Sequence, residues 1–147
     1  MGKIVVGVDG SDASRAALRW AIEEARLRHA DVVAVHTWVM PTFPAEIGYV
    51  PQVDFTEMLP GLEQSAQRLV EGVVAEVGGD DPGVEVRAVA AEGTPAAVLL
   101  EEAADAELLV VGSRGRGGLT GLLLGSVSQR LAQHAPCPLL IHRGPSS

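Results

Sequence analysis

Apolar positions along the chain follow two patterns. Five short runs, Lys3–Asp9, Asp31–Trp38, Val84–Ala90, Glu107–Gly112 and Pro138–Arg143, are rich in Val, Ile, Leu and Ala and hardly alternate. Strands covered on both faces of a parallel sheet read this way. The stretches between them have helical spacing. Ser11 or Asp12 caps a first helix in which Ala17, Leu18, Ala21, Ile22 and Ala25 repeat on one face, with Arg19, Glu23 and Arg26 on the other. A second helix covers about Thr56 to Val77 and carries Leu59, Leu62, Ala66, Leu69, Val70 and Val73. Thr94-Pro95 opens a third as a cap followed by proline at the first helical position. A fourth runs from about Gly125 to Gln133 and stops before Pro136. Strand and helix alternate throughout, which predicts an open α/β sheet with right-handed crossovers. Residues 39–54, with Pro41, Pro44, Gly48 and Pro51, form a surface flap or an active-site lid, and residues 77–83 form a turn.

Composition narrows the class. The 147 residues are enough for one domain, whose core needs no disulfide or metal staple. With 47% hydrophobic and 20% charged residues the chain is globular and not disordered. Eleven Lys and Arg against nineteen Asp and Glu give a net charge of −8, the wrong sign for a nucleic-acid partner. Cys137 is the single cysteine, so no internal disulfide, redox pair or thiolate cluster is available, and it reads as a buried inert thiol. No apolar run approaches about 18 residues. The start, MGKIVVGVDG, lacks a cleavable apolar region, and Val6 stands where a myristoylation signal needs Ser or Thr. The expectation is a cytoplasmic protein with no membrane partner.

The glycines after the fourth strand carry the chemistry. Between Gly112 and Gly125 there are six glycines in fourteen residues, an ordering cost of roughly 3–6 kcal/mol at ~0.5–1 each. That is comparable to the whole stability of a small domain, so a return is expected. Glycines let successive N–H groups turn inward as an anion nest, and Gly125-Ser126 then offers the free amides of a helix N-terminus. Ser126 and Ser128 add hydroxyls, and Arg114 and Arg116 add charge. Phosphate fits this donor set. The distant carboxylates are screened over a Debye length of ~8 Å, and four or five charge-assisted bonds of ~1.5–3 kcal/mol support micromolar binding. A Walker loop is excluded because Lys3 is the only lysine. The dinucleotide fingerprint is excluded because the loop follows the fourth strand and the spacing lands on Thr120.

Ligands in open α/β sheets sit where strand order reverses, beyond the carboxyl ends of the strands. If the fourth strand lies beside the first, Asp9 faces the glycine loop. Its carboxylate would repel a triphosphate and meets instead a ribose hydroxyl or a divalent ion. The alternative is helix capping together with Ser11 and Asp12.

At these residues the chain resembles the universal stress protein family, in the branch that binds ATP through G-x2-G-x9-G-[ST]. Gly112, Gly115, Gly125 and Ser126 match without a gap. The segments Val5-Val-Gly-Val-Asp-Gly-Ser, Glu92-Gly-Thr-Pro and His134-Ala-Pro-Cys-Pro-Leu-Leu are equally typical, so the resemblance covers essentially the whole chain. It implies a single-domain α/β fold of the adenine nucleotide alpha hydrolase-like kind, with a five-stranded parallel sheet in order 3-2-1-4-5. It also implies one ATP per subunit, with Mg2+ or Mn2+ as the divalent ion, and a homodimer through Pro138–Arg143, an edge strand whose exposed backbone itself invites pairing. On this resemblance Asp9 lies near ribose or metal and Thr37, after His36, presents backbone to adenine. Gly7 and Val8 line the base side. Gly112, Ser113, Arg114, Gly115 and Arg116, with Gly125, Ser126, Val127 and Ser128, hold the phosphates. Trp38, Phe43 and Tyr49 either cover the adenine or pack on the second helix.

No catalytic signature accompanies this cradle. There is no G-x-S-x-G elbow and no H-E-x-x-H, and His29, His36, His134 and His142 are scattered. Glu101 and Glu102 fall on the solvated side of the third helix. The function expected is a nucleotide-dependent regulatory module of the stress response with little or no hydrolysis. Three alternatives stay open: a pyrophosphate-releasing ATP-dependent ligase, whose S-G-G-x-D-S loop is poorly matched by Asp9-Gly-Ser-Asp-Ala-Ser14; a dimeric scaffold with a vestigial pocket; and a cAMP site.

Overall fold

The computed structural model describes residues 2–39, 59–78, 83–113 and 125–143. Five parallel strands lie in the order β3-β2-β1-β4-β5. They are β1 (Lys3–Gly7), β2 (Asp31–Trp38), β3 (Val86–Glu92), β4 (Leu108–Gly112) and β5 (Leu139–His142), joined by α1 (Asp12–Arg28), α2 (Leu59–Val77), α3 (Pro95–Glu102) and α4 (Ser126–His134). A short 3-10 turn, Ala103–Asp105, follows α3. The fold class and strand order are those expected.

Each strand divides its side chains between two cores. Ile4, Val6, Val32, Ala34, Leu108 and Val110 pack with Ala17, Leu18, Ala21 and Val70 on the α1/α2 face. Val5, Val33, Val35, Leu109 and Val111 pack with Val98, Leu99 and Leu131 on the α3/α4 face. Burial on both sides explains why the strands read as unbroken apolar runs. The five predicted inward positions of α1, from Ala17 to Ala25, are all buried. Its cap is Ser11, whose Oγ accepts the Ser14 N–H at 3.2 Å.

Five elements differ in their bounds from the sequence expectation; β4 starts at Leu108 instead of Glu107, and β5 covers Leu139–His142 instead of Pro138–Arg143. β3 spans Val86–Glu92 instead of Val84–Ala90, because its register follows β2 as far as Trp38↔Glu92; Val84 is buried in the core below the ladder. β1 stops at Gly7, since the Val8 carbonyl turns to the His36 ring. α4 begins at Ser126, with Gly125 as its N-cap, and reaches His134. For α2, the described residues begin at Leu59, so positions 56–58 lie outside them.

Lys3 Nζ lies 2.6 Å from Asp105 Oδ1, tying β1 to the turn after α3. The hydrogen bond and then the charge of Lys3 hold this exposed carboxyl below its ordinary value of 3.8. A group depressed in the folded state stabilises above its unfolded pKa and loses that contribution as pH falls through the folded one. The small difference in thermal midpoint between wild type and Asp105→Asn is therefore expected to be constant above about pH 4 and to vanish on further acidification, as read by a calorimetric pH series.

Candidate functional site: a cleft at the carboxyl ends of β1 and β4

Chain connections leave β1 in one direction toward β2 and β3 and return on the other side through β4 and β5, so the order reverses between β1 and β4. The crevice beyond these strand ends is where such sheets place ligands. The β1–β4 register, ending at Val6↔Val110, sets Val8 level with Gly112 when carried two residues on.

One wall is the turn from β1 into α1. Asp9 Oδ1 accepts the Ser11 N–H at 2.9 Å, an Asx turn directly before the cap. The buried Ser14 hydroxyl donates to Ser11 O at 2.9 Å and accepts the Asp9 N–H at 3.3 Å. Arg15 donates from Nη1 to Gly10 O and from Nε to Glu76 Oε2, the latter at 2.8 Å. Capping of α1 is thus the work of Ser11, while Asp9 is oriented by the turn in front of it. Ser14 and Arg15 are braces the sequence reading missed; the Ser11-x-x-Ser14 spacing, close to that of a capping box, is the signal that pointed to the first.

Gly7 and Val8 close the floor. A Cβ at Gly7 would stand 2.9 Å from Leu99 Cδ1 and 3.2 Å from Val111 Cγ1, so a side chain there would require Leu99 of α3 to shift. The Val8 side chain is buried, its N–H donates to Val35 O at 2.8 Å, and its carbonyl accepts from His36 Nδ1 at 2.8 Å. His36 therefore carries its proton on Nδ1 and ties β2 to the end of β1. Because Val35 turns its carbonyl to β1, Thr37 turns its backbone groups the same way, past Gly7↔Val35, the last β1–β2 pair. Trp38 faces the other side, beside Glu63, Gln64 and Gln67 of α2. Trp38 and these α2 residues line a common cleft; Phe43 and Tyr49 lie outside the described residues.

The opposite wall is built from Gly112, Ser113 and the first turn of α4. Ser113 donates its N–H to His142 O at 2.8 Å, and its carbonyl accepts the Gly125 N–H at 3.0 Å. Both ends of the intervening glycine-rich stretch are pinned by that second bond, although 114–124, with Arg114, Gly115 and Arg116, lies outside the described residues. Gly125 offers no side chain to cap α4, and Ser126 is exposed on its first turn. Such a turn leaves N–H groups without intrahelical acceptors. Ser128 departs from the sequence expectation of a phosphate-facing hydroxyl: it is 3% exposed, and its Oγ donates to Gly112 O at 3.0 Å. Val127 packs against the α3/α4 core.

Among the described residues no group of three or more His, Cys, Asp or Glu side chains is gathered to hold a metal. Cys137 is half-buried and not buried as expected, and this partial burial pushes its thiol above the ordinary pKa. Among the described residues no helix is long and apolar enough to cross a membrane.

A five-stranded parallel sheet whose order reverses between β1 and β4 defines the doubly wound class of α/β folds. The model of the universal stress protein family matches residues 1–143, and the chain belongs to that family. A universal stress protein of Mycolicibacterium smegmatis is 40% identical over 140 residues, covering 95% of this chain and 45% of its own; the chain thus spans about half the length of such relatives. Among solved structures, universal stress protein UspA from Lactobacillus plantarum superposes with a TM-score of 0.78 at 22% identity, covering 97% of both chains. A universal stress protein in complex with cAMP superposes at 0.60 with 25% identity, covering 98% of both.

Proposed function

We propose that this protein binds an adenine nucleotide across the β1–β4 crevice and serves as a nucleotide-dependent regulatory module of the stress response, with little or no hydrolysis. The observation that carries the reading is the first turn of α4, which has no side-chain cap bond and is hydrogen-bonded at Gly125 to Ser113 at the end of β4. Backbone N–H groups in that arrangement favour a polyanion, helped by the helix dipole. The related structure holding cAMP supports an adenine-bearing ligand.

In this reading the Gly112, Ser113, Ser126, Val127 and Ser128 amides, with the Arg114–Arg116 stretch, hold the phosphates. The Ser128 hydroxyl contributes from behind, by fixing Gly112. Thr37 presents its backbone to the base above Gly7 and Val8. Asp9 meets a ribose hydroxyl or a divalent ion. Its carboxylate is a hard oxygen donor suited to Mg2+ or Mn2+; such an ion would arrive with the phosphates and neutralise part of their charge. β5, four half-buried residues at the sheet border, is the proposed homodimer edge.

Calorimetric titration with ATP, AMP and cAMP at one salt concentration tests the assignment. ATP is expected to bind most tightly. Equal binding of ATP and AMP, or none, removes the triphosphate assignment. Tightest binding of cAMP establishes the second reading, which the related complex favours.

A further inference from the structure

β3 borders the sheet, and its residues alternate in the direction their backbone points. The Val32 N–H donates to Glu85 O and the Gly93 N–H to Trp38 O, both at 2.9 Å. Odd-numbered residues here therefore turn their backbone groups to β2, and even-numbered ones turn theirs to the open border. Gln67 of α2 occupies part of that border. Its Nε2 donates to Ala88 O at 3.0 Å, and its Oε1 accepts the Ala90 N–H at 3.2 Å. Bonds to the residues on either side of one position are those a parallel neighbour makes, so the carboxamide stands in for one residue of an added strand. Glu71 Oε1 accepts a further Nε2 N–H at 2.9 Å and holds the amide in place.

Among the described residues, none bonds the next position of the border. There the Ala90 C=O and the Glu92 N–H point outward, beside a cleft of about 410 Å3 lined by Trp38, Glu63, Gln64, Gln67, Ala90 and Glu92. Among the described residues its lining offers two exposed carboxylates, an aromatic ring and two amides, and no cation. An aromatic face beside carboxylates is complementary to a Lys or Arg side chain, and the chain's net charge of −8 draws such groups in.

We propose that this cleft docks an extended basic peptide segment by strand addition. One residue of the segment continues the pattern Gln67 begins, donating to Ala90 O and accepting the Glu92 N–H. A neighbouring Lys or Arg lies against Trp38 and reaches Glu63 and Glu92. Strand addition at a sheet edge combines main-chain bonds for affinity with side-chain pockets for specificity. The site lies on the α2 side of the sheet and is independent of the nucleotide reading.

The test is an amide-resolved NMR titration of the full chain with the capped peptide acetyl-Thr-Arg-Val-Arg-Thr-amide, with its Arg→Glu counterpart, and with guanidinium chloride. The Arg peptide is expected to shift the Glu92 amide and the Trp38 indole N–H saturably. Binding is expected to weaken about three- to tenfold in the Glu63→Gln/Glu92→Gln double variant and again at high salt. Thermal unfolding of the double variant, unchanged from wild type, separates lost binding from lost folding. No saturable shift, equal response to both peptides, or full affinity in the folded double variant overturns the proposal. So does a response to guanidinium that matches the peptide's, since that describes a small-cation site with no strand pairing.

Discussion

Gly112→Val is expected to lose both stability and nucleotide affinity. Its Cβ would lie 3.1 Å from Ala13 Cβ and 3.2 Å from the Ala13 carbonyl carbon, at the first turn of α1. A side-chain end can swing aside, but the backbone of a capped helix cannot do so without carrying Ser11 and Ser14 with it. Overpacking of this kind costs about 1–3 kcal/mol before the two γ-carbons are counted. The same residue supplies the carbonyl that anchors Ser128, so strain on one wall reaches the other. Loss of one charge-assisted phosphate contact corresponds to about tenfold or more in affinity. Chemical denaturation and ATP calorimetry on the same preparation check both parts. A variant as stable as wild type would show that α1 and β4 do not meet this closely.

Leu131→Ala is expected to give the larger loss of stability and a different pattern of binding. Leu131 is fully buried in the α3/α4 core and is the largest apolar anchor of α4. Truncating a buried leucine costs about 2–5 kcal/mol, depending on how far the cavity collapses, which is a large share of a domain's net 5–15 or so. Neither Gly125 nor the first-turn amides are touched. At low temperature and saturating ATP the variant is therefore expected to bind with affinity within a few-fold of wild type, and to be rescued in thermal midpoint by ligand. Denaturant midpoints with and without ATP measure this. Loss of binding in the fully folded variant would mean that α4 must be held rigidly over its whole length, and not only at its N-terminus.

The glycine-rich stretch after β4 was legible as a candidate site because glycine is costly. Six glycines between 112 and 125 demand a backbone that approaches something closely, and their spacing carries the family's motif. Asp9 was legible as a residue at the end of a strand, but its two roles were not separable. Only the fold shows that Ser11 does the capping while the Asp9 carboxylate is turned by the Ser11 N–H. Ser128 was misread in its detail, since nothing in Gly125-Ser-Val-Ser states that the second hydroxyl points back to Gly112. Gln67 gave no signal: a polar residue on an amphipathic helix reads as solvated, and its bonds to Ala88 and Ala90 span 21 and 23 residues.

The order of elements, the two-sided burial of β1, β2 and β4 and the position of a glycine-rich stretch after β4 were determined by the sequence alone. Each is local or periodic, so apolar spacing and glycine cost encode it directly. The register of β3, the Ser113–Gly125 pin, the Arg15–Glu76 brace and the amide that closes part of the β3 border were decided only by the tertiary structure. These join residues distant along the chain, where the strength of a contact depends on a geometry that no window of sequence contains.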